Sequence, residues 1–457
     1  MKALYPKQEE AARFFVNAIR SGKNTIDTSS VGTGKTVVAS YIAKDLICKA
    51  QPNPHFSHPF VDGVAPPRIF SGIFSGVAVI CPKSVIPSWE RELEEFGIEP
   101  LFVLNYEKIR TGNTDFMSKK GKKLMDWHIP KDTLVLVDEI HKCKGPYTQN
   151  AQLVISLVQQ GYQVHGMSAT SCEDPTEMRA IGYMLGLHNL NKSKDGKQSW
   201  YSWMLSNGCA QDLWKQWRLI SRSKLTVVKE CIYGDMGFRL TIKDFPDSFR
   251  ANRVFVEPIQ FADSKKIIKA YADLGITPAI VNDYIENGTV IESEHVLVNL
   301  LRARMLAESF KAPCVAEQAE DLVSQGNSVV LFVNFRESMD ALCEKLKCER
   351  IDGGQSTKAR QQVVDAFQAD EIHVIAVNTA AGGVGLSLHD THGDRQRISL
   401  ISPSFSAKDH LQTLGRIHRN GAKSDAIQKI LVTADSIEET VMKSINKKLK
   451  NLTALHG

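Results

Sequence analysis

Residues 26–46, IDTSSVGTGKTVVASYIAKDL, place a glycine-containing loop directly before an amphipathic helical pattern. Gly32, Thr33 and Gly34 let backbone amides turn toward a phosphate, and the helix N-terminus adds its positive end. Lys35 reaches terminal phosphates and Thr36 offers a hydroxyl to Mg²⁺, as in the pattern GxxxxGK[ST], with Ser29 in place of the first glycine. About a hundred residues later TLVLVDEIH supplies an apolar strand ending in Asp138 and Glu139. A carboxylate at a strand's C-terminal end can hold Mg²⁺, and its neighbour can polarise an attacking water. A third block, SAKDHLQTLGRIHRNGAKS, repeats Gln412, Arg416 and Arg419 at helical spacing, which predicts one shared face. Arg416 and Arg419 are then suited to reach a γ-phosphate held elsewhere and to stabilise charge developing in transfer, an effect worth about 10³ to 10⁵ in rate.

These residues need a scaffold that presents loops at the ends of strands. Apolar runs of strand length recur at 77–81, 133–137, 329–333, 373–377 and 398–402, with helical patterns between them. Strands apolar on both faces fit parallel sheets covered by helices on each side. They fall into two groups, which predicts an α/β fold of two lobes with a helical insertion between them. The insertion opens with the polar stretch NKSKDGKQS, followed by Trp200, Trp203, Trp214 and Trp217. Each tryptophan pair is spaced i, i+3, as for two rings on one helix face. Such rings either pack a helical insertion or stack nucleic-acid bases.

Length and composition bound the rest. A chain of 457 residues, 43% apolar and 23% charged, is long enough for several folded domains and excludes wholesale disorder. The formal charge of +5 permits a polyanionic partner without requiring one. No run of 18 apolar residues occurs, and MKALYPKQEEAARFF lacks the order of a signal peptide. Nine scattered cysteines without a CxxC pair predict reduced thiols in a cytoplasmic compartment. The proline-rich stretch 51–67, with His55 and His58, reads as a surface loop, and the run Lys119, Lys120, Lys122 and Lys123 reads as a basic loop.

In order and wording the blocks resemble those of superfamily-two helicases and translocases. LYPKQ is similar to the adenine-reading Q motif, with Gln8 as reader; VICPKSVIPSWERELEEF to motif Ia; DEIH to motif II; GMSAT to motif III. VVLFVNFRESMDAL resembles motif IV, VNTAAGGVGLSL motif V and QTLGRIHR motif VI. Within that superfamily the wording of NTAAGGVGLSL, RIHRNGAKS and the tryptophan after the motif Ia strand resembles SWI/SNF-type double-strand DNA translocases. Ser29, Ser30, the SAT wording and Ala380 depart from that subgroup.

The resemblance implies two RecA-like lobes, with an ATP-binding lobe at 1–187, a helical protrusion and linker at 188–310, a second lobe at 311–435 and a closing brace helix at 436–457. It implies ATP and Mg²⁺ as cofactors and DNA as partner, without sequence specificity, in a bare motor of the kind found in bacteria and their viruses. Residue by residue, Lys35, Asp138, Glu139, Gln412, Arg416 and Arg419 carry hydrolysis. His141, Ser168 and Thr170 couple nucleotide state to the track, and Pro82, Lys83, Asn334, Arg336 and Thr379 touch the phosphate backbone. The alternatives are a strand-separating helicase, a nucleotide-gated DNA-binding protein with a silent ATPase, and an RNA helicase.

Overall fold

The computed structural model describes residues 3–47, 50–52, 68–70, 73–120, 124–213, 215–246, 248–287, 294–379 and 386–456. His55, His58, Lys122, Lys123, Trp214 and Ala380 lie outside the described residues. The chain divides into two compact units, Met1–Asp244 with Asn451–Gly457, and Phe245–Lys450.

The first unit is built on six parallel strands: β1 Thr25–Asp27, β2 Gly76–Cys81, β3 Phe102–Asn105, β4 Thr133–Asp138, β5 Gln163–Met167 and β6 Gly237–Phe238, in the order β6-β1-β5-β4-β2-β3. The runs in β2 and β4 are buried from Val77 to Cys81 and from Leu134 to Val137, because helices cover both faces of the sheet. All-parallel pairing sends every strand's C-terminal end to one edge of the sheet. The loops after β1, β4 and β5 therefore open side by side.

The second unit repeats the plan with β7 Asn252–Ile259, β8 Ser328–Val333, β9 Glu349–Ile351, β10 Val374–Asn378, β11 Arg397–Ile401 and β12 Ala426–Thr433, in the order β7-β12-β11-β8-β10-β9, again all parallel. Strand β8 sends Val329, Leu331 and Val333 into one core and Val330 and Phe332 into the other, the period-two alternation of a sheet packed on both sides.

The segment 188–310 is not one helical insertion. Its first part, through Asp244, belongs to the first unit and contains the helix Trp200–Ser206, an antiparallel pair Cys209–Gln211 with Trp217–Leu219, the helix Lys224–Tyr233 and β6. Its second part belongs to the second unit, where β7 pairs along its whole length with β12. The expected boundary at 310 falls inside the continuous helix Glu294–Ser324, whose Ala303, Ala307, Ala312, Ala316 and Ala319 face the second core. Trp200 and Trp203 share a buried helix face as expected, whereas Trp217 starts a strand and not a helix. A last helix, Ile437–His456, closes the described chain.

Candidate functional site

Gly32 and Gly34 have φ of 85° and 87°, a left-handed conformation that costs other residues about 1 to 2 kcal/mol. Gly34 is the N-cap of the helix Lys35–Leu46 and supplies no side chain to the first amides, which leaves them to an anion. The Lys35 ammonium donates to the carbonyls of Ser29 at 2.7 Å and Ser30 at 3.1 Å, so it lies within the curl of the loop.

Gln8 reaches this loop from the helix Pro6–Arg20. Its Nε2 donates to the Thr33 carbonyl at 2.8 Å, and its Oε1 accepts from the Tyr5 amide at 3.0 Å. A Cβ on Gly34 would stand 2.5 Å from that Nε2, so the glycine is required by close approach as well as by φ.

The serines that depart from the family wording fasten the loop to the strand beside it. The Ser29 hydroxyl accepts from the Leu240 amide at 2.9 Å, and the Ser30 amide donates to the Leu240 carbonyl at 2.8 Å. Arg239 adds a bond from Nη1 to the Thr28 carbonyl at 2.8 Å. Residues 238–240 were read from sequence as part of a helical insertion, and only their pairing with β1 reveals this task.

Asp27, at the end of β1, had no assigned role in the sequence. It is fully buried, and its Oδ1 accepts from the Ser29 amide at 2.8 Å while Oδ2 has no hydrogen-bond partner among the described residues. Burial raises its pKa, against the opposing charges of Lys35 and Arg239.

At the end of β4 the Asp138 carboxylate accepts from Trp89 Nε1 at 2.9 Å and from the Glu139 amide at 2.8 Å, and its carbonyl accepts from the Tyr106 hydroxyl at 2.6 Å. Burial, then the neighbouring Glu139 charge, pushes Asp138 up to about 7, and the Trp89 bond and the Lys35 charge oppose the shift. A carboxylate destabilised in this way gains from a cation placed on it. Thr36, in the first turn of the helix after the loop, offers a hydroxyl and Asp138 a carboxylate, donor types that suit Mg²⁺, a hard ion that takes one or two carboxylates and completes its shell with phosphates and water. No cluster of three or more His, Cys, Asp or Glu able to hold a metal occurs among the described residues.

Glu139 has φ of 53°, which turns its side chain out of the strand line. Its Oε2 lies 2.9 Å from His141 Nδ1 and 3.4 Å from the Ser168 hydroxyl, and His141 Nδ1 lies 2.9 Å from that same hydroxyl. An ionised carboxylate only accepts, so the imidazole Nδ1 carries the hydrogen it shares with Glu139. The Ser168 amide donates to the Asp27 carbonyl at 3.0 Å and its hydroxyl accepts from the Thr170 amide at 3.2 Å. Gln8, Gly32, Thr33, Gly34, Lys35, Thr36, Asp138, Glu139, His141, Ser168 and Thr170 thus lie along the strand ends of one unit.

In the second unit the expected helical face is absent. The helix Ala407–Leu414 stops at Gly415, a poor helix former, and Arg416 follows in a turn and Arg419 in irregular chain. They converge nonetheless: Arg416 Nη1 and Arg419 Nη2 donate to the Leu386 carbonyl at 3.3 and 2.9 Å. Gln412 is buried on the helix.

The other residues separate into two groups. Lys83 and Arg336 are exposed, Arg336 with a 3.9 Å contact to Asp340. Pro82 is buried as the N-cap of a short 3₁₀ turn. Asn334 donates from Nδ2 to Glu308 at 2.7 Å and to the Pro403 carbonyl at 3.1 Å, and the Thr379 hydroxyl donates to the Val333 carbonyl at 3.1 Å. Their side chains are engaged inside the unit. Sequence reasoning missed Glu308, which also accepts from the amides of Asn334 and Phe335 and so fixes the loop after β8.

Residues 314–421 match the helicase conserved C-terminal domain family. A protein of Acanthamoeba polyphaga mimivirus, named as an ATP-dependent RNA helicase, is 29% identical over 482 residues, covering 99% of this chain and 83% of its own. The chromatin remodeling factor mit1 of Schizosaccharomyces pombe is 30% identical over 135 residues, which cover 28% of this chain and only 9% of that protein. The solved Sulfolobus solfataricus SWI2/SNF2 ATPase core in complex with double-stranded DNA aligns over 94% of this chain and 88% of its own, at 16% identity and a TM-score of 0.38.

Proposed function

We propose that the chain is a SWI/SNF-type superfamily-two motor, a nucleic-acid-dependent ATPase that moves along DNA, with duplex DNA as its track. The observation that carries this reading is the linkage of Glu139, His141 and Ser168, which ties the hydrolytic carboxylate to the segment after β5 within 2.9 to 3.4 Å. A plain nucleotide-binding site has no need of such a relay.

In this reading Gln8 senses the base, residues 32–36 hold the phosphates, and Thr36 and Asp138 hold Mg²⁺, which offsets phosphate charge. Glu139 orients the attacking water and takes its proton. Arg416 and Arg419 leave the Leu386 carbonyl for the γ-phosphate, so that turnover requires the two units to close on ATP and hydrolysis releases them. The exposed Lys83 and Arg336 touch backbone phosphates, while Pro82, Asn334 and Thr379 shape the loops that approach them. Contacts of this kind read no sequence and weaken steeply with salt.

A second reading, strand separation, is favoured by the SAT wording at 168–170 and its bonding to His141. Steady-state ATP hydrolysis with no nucleic acid, single-stranded DNA, duplex DNA and RNA at one salt, with Lys35→Ala as the blank, tests both. Stimulation chiefly by duplex DNA is expected. Stimulation chiefly by single strands or by RNA transfers the assignment to an unwinding or an RNA-directed motor, and no stimulation by any of them ends it.

A further inference from the structure

The tryptophan-containing segment takes no part in the nucleotide site, yet it concentrates the chain's charge. Residues 188–230 hold eight lysines and arginines against three acidic residues, an excess equal to the formal +5 of the whole chain. The remaining residues are balanced overall, so the basicity is local. Lys192, Lys194 and Lys197 are exposed on the turn before the helix Trp200–Ser206, and Lys215, Arg222 and Lys224 are exposed at the tip and exit of the antiparallel pair.

Aromatic rings interleave with this charge. Tyr147 is 64% exposed and Tyr201 40% exposed, and their hydroxyls bond to each other. Buried Trp200 stands behind both, with ring centroids 6.1 Å from Tyr147 and 5.2 Å from Tyr201. Tyr201 continues to half-buried Trp217 at 5.8 Å and 33° between planes. Arg179 is itself 7% exposed, donates to the Pro146 carbonyl at 3.0 Å, and lies 5.0 Å from the Tyr147 ring. The rings are therefore held from beneath by packed groups while two of them face water.

We propose that the Tyr147, Tyr201 and Trp217 rings with the lysines and arginines of 188–230 form an accessory binding site for an unpaired nucleic-acid strand. An exposed ring stacks any base without reading it, and flanking cations take the phosphates. A duplex hides its base faces, so the rings favour a single strand, and the excess of five positive charges suits its phosphates. The site lies outside every residue assigned to hydrolysis or to backbone contact. It rests on the reading of the chain as a nucleic-acid motor.

Fluorescence anisotropy on the full chain with labelled oligo(dT) and oligo(U) of ~16 nucleotides, and with a duplex of the same length, tests it. Tyr147→Ala/Tyr201→Ala is expected to weaken oligo(dT) about tenfold and the duplex far less, the size of one base stack lost. Tyr147→Phe/Tyr201→Phe keeps the rings and is expected to keep wild-type affinity, which separates stacking from a folding defect. Lys215→Glu/Arg222→Glu/Lys224→Glu is expected to make the slope of log affinity against log salt shallower by about 2. Oligo(U) held as tightly as oligo(dT) assigns the site to either sugar, and a preference assigns it to one. Unchanged affinity in both the alanine and the glutamate variants overturns the site and leaves the patch to some other partner. An equal loss on duplex overturns the unpaired strand as occupant. A wild-type chain that binds no oligonucleotide fails the motor assignment as well, whereas wild-type binding and stimulation with unaffected variants fails this site alone.

Discussion

His141 Nδ1 and the Ser168 hydroxyl lie 2.9 Å apart, and both reach the Glu139 carboxylate, so two strand ends meet on the group proposed to orient the attacking water. Ser168 is also bonded through its amide to Asp27, at the root of the phosphate loop. In the proposed motor a serine placed in this way would carry strain between nucleotide and track. Ser168→Ala is expected to keep ATP hydrolysis without nucleic acid within about threefold while removing most of the stimulation by DNA. Turnover measured with and without DNA checks this; an unchanged stimulation ratio removes Ser168 from the coupling path.

The carboxylates at the end of β4 should separate binding from chemistry. Glu139→Gln preserves shape and loses the base, so turnover is expected to fall by about 10² to 10⁴ with ATP still bound. Lys35→Ala removes the ammonium from the loop and is expected to abolish both. Equilibrium binding of a fluorescent ATP analogue beside single-turnover rates distinguishes the two, and near-wild-type hydrolysis in either variant is incompatible with the site.

Gly34→Ala meets two costs that can be told apart. The left-handed backbone costs about 1 to 2 kcal/mol whatever surrounds it. The new methyl also displaces Gln8, whose amide holds the Thr33 carbonyl. ATP binding is expected to weaken strongly when Gly34→Ala is made in the wild type and by a smaller factor when it is made in Gln8→Ala, read by titration calorimetry as a double-mutant cycle. An equal factor in both backgrounds means that φ alone decides.

How much of this was legible beforehand follows from where the signals lie. Asp138 could be read because it ends an apolar run, and Lys35 because it closes a glycine-containing loop just before a helical pattern. Strand β6 could not: two residues, Gly237 and Phe238, leave no periodicity, and only pairing with Ile26 and Asp27 defines them. Strand β7 is exposed along most of its length and lacks the apolar run that marked β8 and β11. The turn after Leu414 was masked by spacing, since residues 412, 416 and 419 satisfy a helical period that Gly415 interrupts. Asp27 stayed silent because one acid at the end of a three-residue strand resembles any strand terminus until its burial is seen.

Lys311 and Glu438 form an ion pair at 2.7 Å, 2% and 5% exposed, between the helices Glu294–Ser324 and Ile437–His456, and Glu438 also accepts from the Thr433 amide at 2.8 Å. Removing one member leaves a buried charge without its partner. Lys311→Met is expected to destabilise the second unit by about 3 to 5 kcal/mol, and Lys311→Met/Glu438→Gln by less, because the amide still accepts from Thr433. Urea unfolding of the three proteins checks the order; equal stability of wild type and Lys311→Met rules out a structural role for the pair.

His165 gives the pH dependence a definite sign. It is fully buried beside Phe15 at 4.7 Å, with Nδ1 2.8 Å from the Thr25 hydroxyl, and burial pushes its pKa down to about 3. The unfolded chain then takes up a proton near pH 6.5 that the folded unit refuses until about pH 3, so stability falls as pH drops through that window. At pH 5 the loss from this residue is about 2 kcal/mol. Asp138 works the other way: its raised pKa favours the protonated folded state, so its contribution fades as pH rises from about 4 to about 7. The two are separable by difference. Relative to wild type, lowering the pH from 7.5 to 5.0 is expected to cost His165→Gln about 2 kcal/mol less urea stability, and to cost Asp138→Asn more. The same pH dependence in wild type and His165→Gln would mean that the imidazole is protonated inside the folded unit.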